Sequence, residues 1–166
     1  RGERVLLRGV NGCGKSSFIK AVLGNAANAE TSGRLEIPAG LRISYVNQDT
    51  SGLSGGLKDY ARMHGLDESM LKALLRQLDF ERTQFDKRME EYSEGQKKKV
   101  LLATSLLTPA HLYIWDEPLN FIDVFSRMQL EQLILKYQPT MLLVEHDTVF
   151  GGKVATRIVD ITRTEP

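Results

Sequence analysis

Apolar residues fall along this chain in two rhythms. Short unbroken runs, Val5-Leu6-Leu7, Leu112-Tyr113-Ile114-Trp115 and Met141-Leu142-Leu143-Val144, are each followed within two residues by Gly, Asp or Glu. Runs of this length and composition read as strands buried on both faces. Arg34 to Ile37 and Leu41 to Val46, separated by Pro38-Ala39-Gly40, read as two more strands, and Arg157 to Ile161 as a last one. Elsewhere the spacing is three and four. Phe18, Ile19, Val22 and Leu23 predict a helix that stops at Gly24, a C-cap. Leu66, Met70, Leu71, Leu74, Leu75 and Leu78, with charges between them, predict small amphipathic helices. A longer helix runs from Ser93 to Leu107 and ends before Pro109, another spans Val124 to Tyr137, and a short one follows Val144. Asn25 to Gly33 reads as a loop, and the glycine-serine stretch Ser51 to Gly56 as a mobile connection.

Buried strands alternating with helices predict an α/β fold, a mostly parallel sheet with helices on both faces. The length suits one domain spanning residues 1–166, with a core formed by 1–52 and 108–166. The helical subdomain is 53–107, of which about 53–92 is an insertion of small helices. Val5 lies in a strand pattern almost at the first residue and no Met precedes it, so the chain reads as an excerpt of a longer protein.

Charge narrows the field by exclusion. With 22 Lys+Arg against 21 Asp+Glu, the net charge of +1 gives no global field toward nucleic acid or a membrane surface. No apolar run reaches the roughly 18 residues of a membrane span. The single cysteine, Cys13, rules out an internal disulfide and suits a reducing cytosol, so a cytoplasmic location is expected.

Chemistry enters at Gly9-Val10-Asn11-Gly12-Cys13-Gly14-Lys15-Ser16, which fits the phosphate-loop (Walker A) pattern G-x-x-x-x-G-K-[ST] at every fixed position. Glycines let the backbone curl until several N–H groups face one point, and the following helix adds its positive N-terminus. Lys15 would reach the β- and γ-phosphates of ATP, and the Ser16 hydroxyl would ligate Mg²⁺. Gly9, Asn11, Gly12, Cys13, Gly14, Lys15, Ser16 and the adjoining Ser17 form the expected nucleotide set. Cys13 fills a variable slot, for which a small side chain explains more than a redox role.

A second group stands at the end of a strand. Asp116-Glu117-Pro118 follows Leu112 to Trp115, and ligands of open α/β sheets gather at the carboxyl ends of strands. Asp116 is the expected metal residue and Glu117 the general base that polarises the attacking water.

The order of the remaining polar residues is similar to that of the ABC ATPases. Gln48 follows the strand ending at Val46, Tyr92-Ser93-Glu94-Gly95-Gln96 opens a helix about twenty residues before the acidic pair, and His146 follows Met141 to Val144. That family carries a Q-loop, a signature motif, Walker B, a D-loop and an H-loop in this sequence, and the resemblance runs from about residue 5 to 150. It implies that Gln48 senses Mg²⁺ and water and that His146 contacts the γ-phosphate. It also implies that Ser93, Gly95 and Gln96 meet the ATP of a second, facing ABC domain. Taken alone, Ser93 and Gln96 are a helix capping box. Lys97-Lys98-Lys99 in the helix's first turn would oppose its dipole, which makes sense if an anion arrives there. Two features depart from the family pattern. Glu94 and Tyr92 stand where the usual Leu-Ser-Gly-Gly-Gln has its first glycine and its leucine, and the adenine-stacking aromatic usually precedes the phosphate loop.

Glu117-Pro118-Leu119-Asn120-Phe121-Ile122-Asp123 resembles the E-P-T-N-H-L-D stretch of ABC-F proteins, keeping Glu117, Pro118, Asn120 and Asp123. Those proteins are soluble, carry two ATPase domains in one chain and act on ribosomes, some of them against antibiotics. With the Tyr-Ser-Glu-Gly-Gln-Lys-Lys-Lys run, the resemblance is strongest to the second domain of the resistance type. Two further readings stay open: the motor domain of an ABC transporter, and a nucleotide-dependent switch with little hydrolysis. A phosphate-loop kinase would have no use for the signature helix or for His146.

Overall fold

The computed structural model describes residues 2–24 and 34–162. Among the described residues five strands, β1 (Arg4–Arg8), β2 (Ile43–Val46), β3 (Leu112–Asp116), β4 (Met141–Val144) and β5 (Arg157–Asp160), form one sheet in the order β2-β3-β4-β1-β5. Every neighbouring pair is parallel. The helices are α1 (Lys15–Val22), α2 (Leu57–Met63), α3 (Glu68–Gln77), α4 (Glu94–Leu107), α5 (Val124–Tyr137) and α6 (Thr148–Val154). Single 3₁₀ turns lie at Arg82–Gln84 and Met89–Glu91.

The unbroken apolar runs are explained by what lies on each face. Successive residues of a strand point to opposite sides of the sheet. Leu6, Trp115 and Leu143 join a core with Leu71 and Leu75 of α3, Val100 and Leu102 of α4, Leu130 and Ile134 of α5 and Phe150 of α6. Their sequence neighbours Leu7, Ile114, Leu142 and Val144 pack on the other face against Ile19 of α1. A strand covered on both sides has no polar face to alternate with. The helical region joins the sheet through α4, where buried Ser105 accepts from Trp115 Nε1 at 2.9 Å and pairs with Ser44 at 2.7 Å.

Three expectations need correction. Arg34 to Ile37 is not a strand; every residue from 34 to 40 is exposed, and with no neighbour to bond among the described residues and no face to bury, its apolar positions do not hold it in a sheet. Gly24 is not the cap of α1 but the residue after it: the cap is Leu23, and Gly24 takes the left-handed φ of 76° that glycine accepts without strain. Ser51 to Gly56 is tied down at one end. Leu53 is buried, the Gly55 carbonyl accepts from Met89 N–H at 2.9 Å, and Gly55 N–H donates to Glu90 at 3.1 Å. The loop expected at Asn25 to Gly33 lies outside the described residues.

Candidate functional site

The site is assembled from the carboxyl ends of β1, β2, β3 and β4 and the loops that leave them. After β1 the chain turns into residues 9–16 and then α1. Gly9 is pressed so closely that an added Cβ would lie 2.5 Å from Cys13 Sγ and 2.6 Å from the Ile161 carbonyl. Gly12 and Gly14 hold left-handed φ values of 80° and 109°, and a Cβ on either would meet nothing within 4 Å. The chain curls here because glycine alone adopts this geometry freely, and the concave side stays open. The loop closes on itself through Cys13 N–H to the Val10 carbonyl, at 3.2 Å. Lys15, although buried, turns its ammonium back across the loop and donates to the carbonyls of Gly9 at 2.7 Å and Val10 at 3.0 Å.

Facing the loop is the tip of β3. Asp116 is 6% exposed. Burial and the neighbouring Glu117 push its carboxyl above the usual range, while the Gln48 side chain and the ammonium groups of Lys98 and Lys15 act against that rise. Glu117 takes a left-handed φ of 50°, uncommon for a residue with a side chain. The turn is fixed by Glu117 N–H donating to the Val144 carbonyl at 2.8 Å. Its carboxylate is then held at both oxygens, by Asn120 Nδ2 at 2.9 Å and by His146 Nε2 at 3.3 Å.

Between them lies a cleft of about 460 Å³. Asn11, Gly12, Gly14, Lys15, Ser16 and Ser17 line it from the loop, and Gln48, Asp116, Glu117 and Val144 from the strand ends. Of the expected residues, Gly9 and Cys13 shape the loop without lining the cleft, and His146 reaches it through Glu117. The donor set fits Mg²⁺ bound with a triphosphate. It offers hard oxygens from Ser16, Gln48 and Asp116, and the open curl of the loop leaves room for phosphate oxygens. Among the described residues no group of three or more His, Cys, Asp or Glu could hold a metal ion.

Ser93, Gly95 and Gln96 do not line this cleft. Ser93 caps α4: its hydroxyl accepts from Gln96 N–H at 3.2 Å, and Gln96 Oε1 accepts from Ser93 N–H at 2.9 Å. A Cβ on Gly95 would lie 2.5 Å from the Phe121 carbonyl, so glycine is needed where the helix abuts the segment after Glu117. The lysine run is not the free anion site that its position suggested. With Ser93 as cap, the lysines begin one turn into the helix, and each ammonium has an internal partner. Lys97 pairs with Glu94 at 3.2 Å, buried Lys98 donates to the Asn47 carbonyl at 3.0 Å, and Lys99 meets Asp123 at 2.7 Å. Glu94 is also engaged, accepting from the Thr50 hydroxyl at 2.6 Å. That bond and Lys97 hold its carboxyl below the usual range.

Sequence reasoning missed the supports: Asn120 on Glu117, Lys98 and Thr50 on either side of Gln48, and Glu145 beside His146. Glu145 had a usable signal, being the first residue past a wholly buried strand.

The family profile described as "ABC transporter" matches residues 1–120. Among curated relatives, ATP-binding protein Uup of Buchnera aphidicola is 34% identical over 164 residues, covering 94% of this chain and 27% of that protein. Uup of Escherichia coli is 32% identical, covering 94% of this chain and 26% of that protein. The probable ATP-binding protein YheS of Haemophilus influenzae is 31% identical, covering 96% and 30%. The chain thus spans between a quarter and a third of these relatives. Among solved structures, a complex of archaeal ribosomal stalk protein aP1 with the ribosome recycling factor aABCE1 aligns with a TM-score of 0.77 at 27% identity, over 96% of this chain and 32% of that one. An ATP-binding subunit of an ABC transporter aligns with a TM-score of 0.75 at 23% identity, over 98% and 76%, a likeness of fold. The chain belongs to the ABC transporter family, as one of its ATPase domains.

Proposed function

We propose that this domain binds and hydrolyses ATP with Mg²⁺ at a composite site closed by a second ABC domain. The observation that carries the reading is a single cleft holding Lys15, Ser16, Gln48, Asp116 and Glu117, with His146 set behind the general base. Ser16, Asp116 and Gln48 would hold Mg²⁺, which supplies charge neutralisation on the phosphates. Lys15 leaves its loop carbonyls for the β- and γ-phosphates, Glu117 takes a proton from the attacking water, and His146 orients Glu117 and the γ-phosphate. Ser93, Gly95 and Gln96, which lie off the cleft of their own domain, would close the partner's site. Binding drives closure and hydrolysis resets it.

The wider role is that of an ABC-F protein: two such domains in one cytoplasmic chain, acting on the ribosome as a translation factor or in antibiotic protection. The Glu117 to Asp123 stretch supports this reading. So do the length of the relatives and a similar structure named as a ribosome recycling factor. Among the described residues no helix is long and apolar enough to cross a membrane. The test is full-length Glu117→Gln protein with ATP, which should keep nucleotide and sediment with ribosomes in a closed form. Sedimentation with membranes instead would favour a transporter motor, and tight binding with negligible wild-type turnover would favour a switch.

A further inference from the structure

We infer that Glu145 is a positioning residue for hydrolysis, joining the loop that carries Glu117 to the loop that carries His146; this rests on the roles proposed above for those two residues. Glu145 is the first residue past β4 and is 8% exposed. Its two carboxylate oxygens face different loops. One accepts the Leu119 N–H at 3.2 Å, two residues after Glu117. The other accepts the His146 N–H at 2.8 Å and the Asp147 N–H at 3.2 Å. At the base of the same loops, Glu117 N–H reaches the Val144 carbonyl at 2.8 Å. The two loops are therefore joined twice, once by main chain and once by this side chain, and above the joints His146 and Glu117 meet at 3.3 Å. The buried ammonium of Lys98 lies in the field of Glu145, Asp116 and Glu117, a counter-charge for a carboxylate group removed from water.

The residue type fits the task. An ionised carboxylate accepts at both oxygens, whereas an amide of the same shape accepts at one and presents N–H at the other. Glutamine would keep one loop and repel the N–H of the other. Aspartate keeps the charge and the local turn at His146 but is one methylene short of Leu119. In both cases the two loops keep only their main-chain joint, and misplacement by about an ångström at a reacting group costs on the order of 10²-fold in rate.

The test compares Glu145→Gln, Glu145→Asp and Glu117→Gln with wild type in the full-length protein, measuring kcat, KM for ATP and thermal midpoint. Both Glu145 variants should lose kcat by about 10- to 100-fold, with KM within about twofold and the midpoint little changed. Aspartate serves as the test if the glutamine variant fails to fold. Wild-type kcat in either folded Glu145 variant, beside a Glu117→Gln protein that has lost turnover, overturns this inference and leaves the proposed hydrolysis standing. Wild-type kcat in Glu117→Gln itself overturns both.

Discussion

His146 Nε2 lies 3.3 Å from one carboxylate oxygen of Glu117, and Asn120 Nδ2 lies 2.9 Å from the other. A general base, the role proposed for Glu117, works only in the position from which it can take its proton, and its carboxylate is held from two sides. His146→Ala removes one side and leaves Glu117 free to rotate on Asn120. Turnover should fall on the order of 10²-fold, with ATP affinity changed much less. Phosphate release against ATP concentration measures both, and a loss confined to affinity would take His146 out of the hydrolytic step.

Lys15 is buried, yet its ammonium spends its hydrogen bonds on the carbonyls of its own loop. Such a cation is available to a triphosphate. Lys15→Ala should weaken ATP binding about 10- to 150-fold, the loss expected for one charged hydrogen-bonding group. Fluorescent-nucleotide titration checks it; unchanged affinity would mean that the phosphates lie elsewhere.

Gly95→Ala sets two effects against each other. Alanine favours a helix over glycine by about 1 kcal/mol. The added methyl would lie 2.5 Å from the Phe121 carbonyl, a backbone atom that cannot rotate away. Overpacking of that kind costs about 1–3 kcal/mol, so the variant should be less stable than wild type in urea unfolding. A rise in stability would show that α4 and the segment after Glu117 are not pressed together as described.

Asp123 links α4 to α5. Burial pushes its carboxyl up, but the Lys99 ammonium at 2.7 Å and the N–H and hydroxyl of Ser126 outweigh that and hold it at about 2. A folded value below the unfolded one gives stability that is present in full above the unfolded value of about 4 and lost as pH falls through about 2. Asp123→Asn keeps a capping oxygen and removes the charge. It should cost about 0.5–1 kcal/mol at neutral pH, modest because the side chain is 46% exposed. The gap from wild type should close between about pH 4 and 2. A gap independent of pH would make the contribution one of packing.

How much could be read in advance followed from how local each cause was. Leu112 to Trp115 and Met141 to Val144 read correctly as doubly buried strands because composition alone requires two covered faces. The curl of residues 9–16 was legible because the left-handed backbone at Gly12 and Gly14 is set within a few residues. Arg34 to Ile37 misled because β composition describes a half-buried surface and cannot supply a neighbouring strand. Lys97, Lys98 and Lys99 misled for a related reason. Their partners Glu94, Asn47 and Asp123 include two brought in by the fold, which no spacing along the chain foretold. Glu145 escaped notice because its three donors lie on two loops that meet only when β3 and β4 pair.

The central claim is that residues 9–17, Gln48, Asp116 and Glu117 make one cleft for Mg²⁺ and a triphosphate. It is tested most directly by amide NMR of this chain titrated with a non-hydrolysable ATP analogue, with and without Mg²⁺. Shifts should concentrate at Gly12 to Ser17, Gln48, Asp116 and Glu117, and those at Ser16, Gln48 and Asp116 should need the metal. Shifts gathered instead at the apolar groove of about 430 Å³ lined by Met70, Leu74, Tyr113 and Tyr137, with the phosphate loop unmoved, would contradict it.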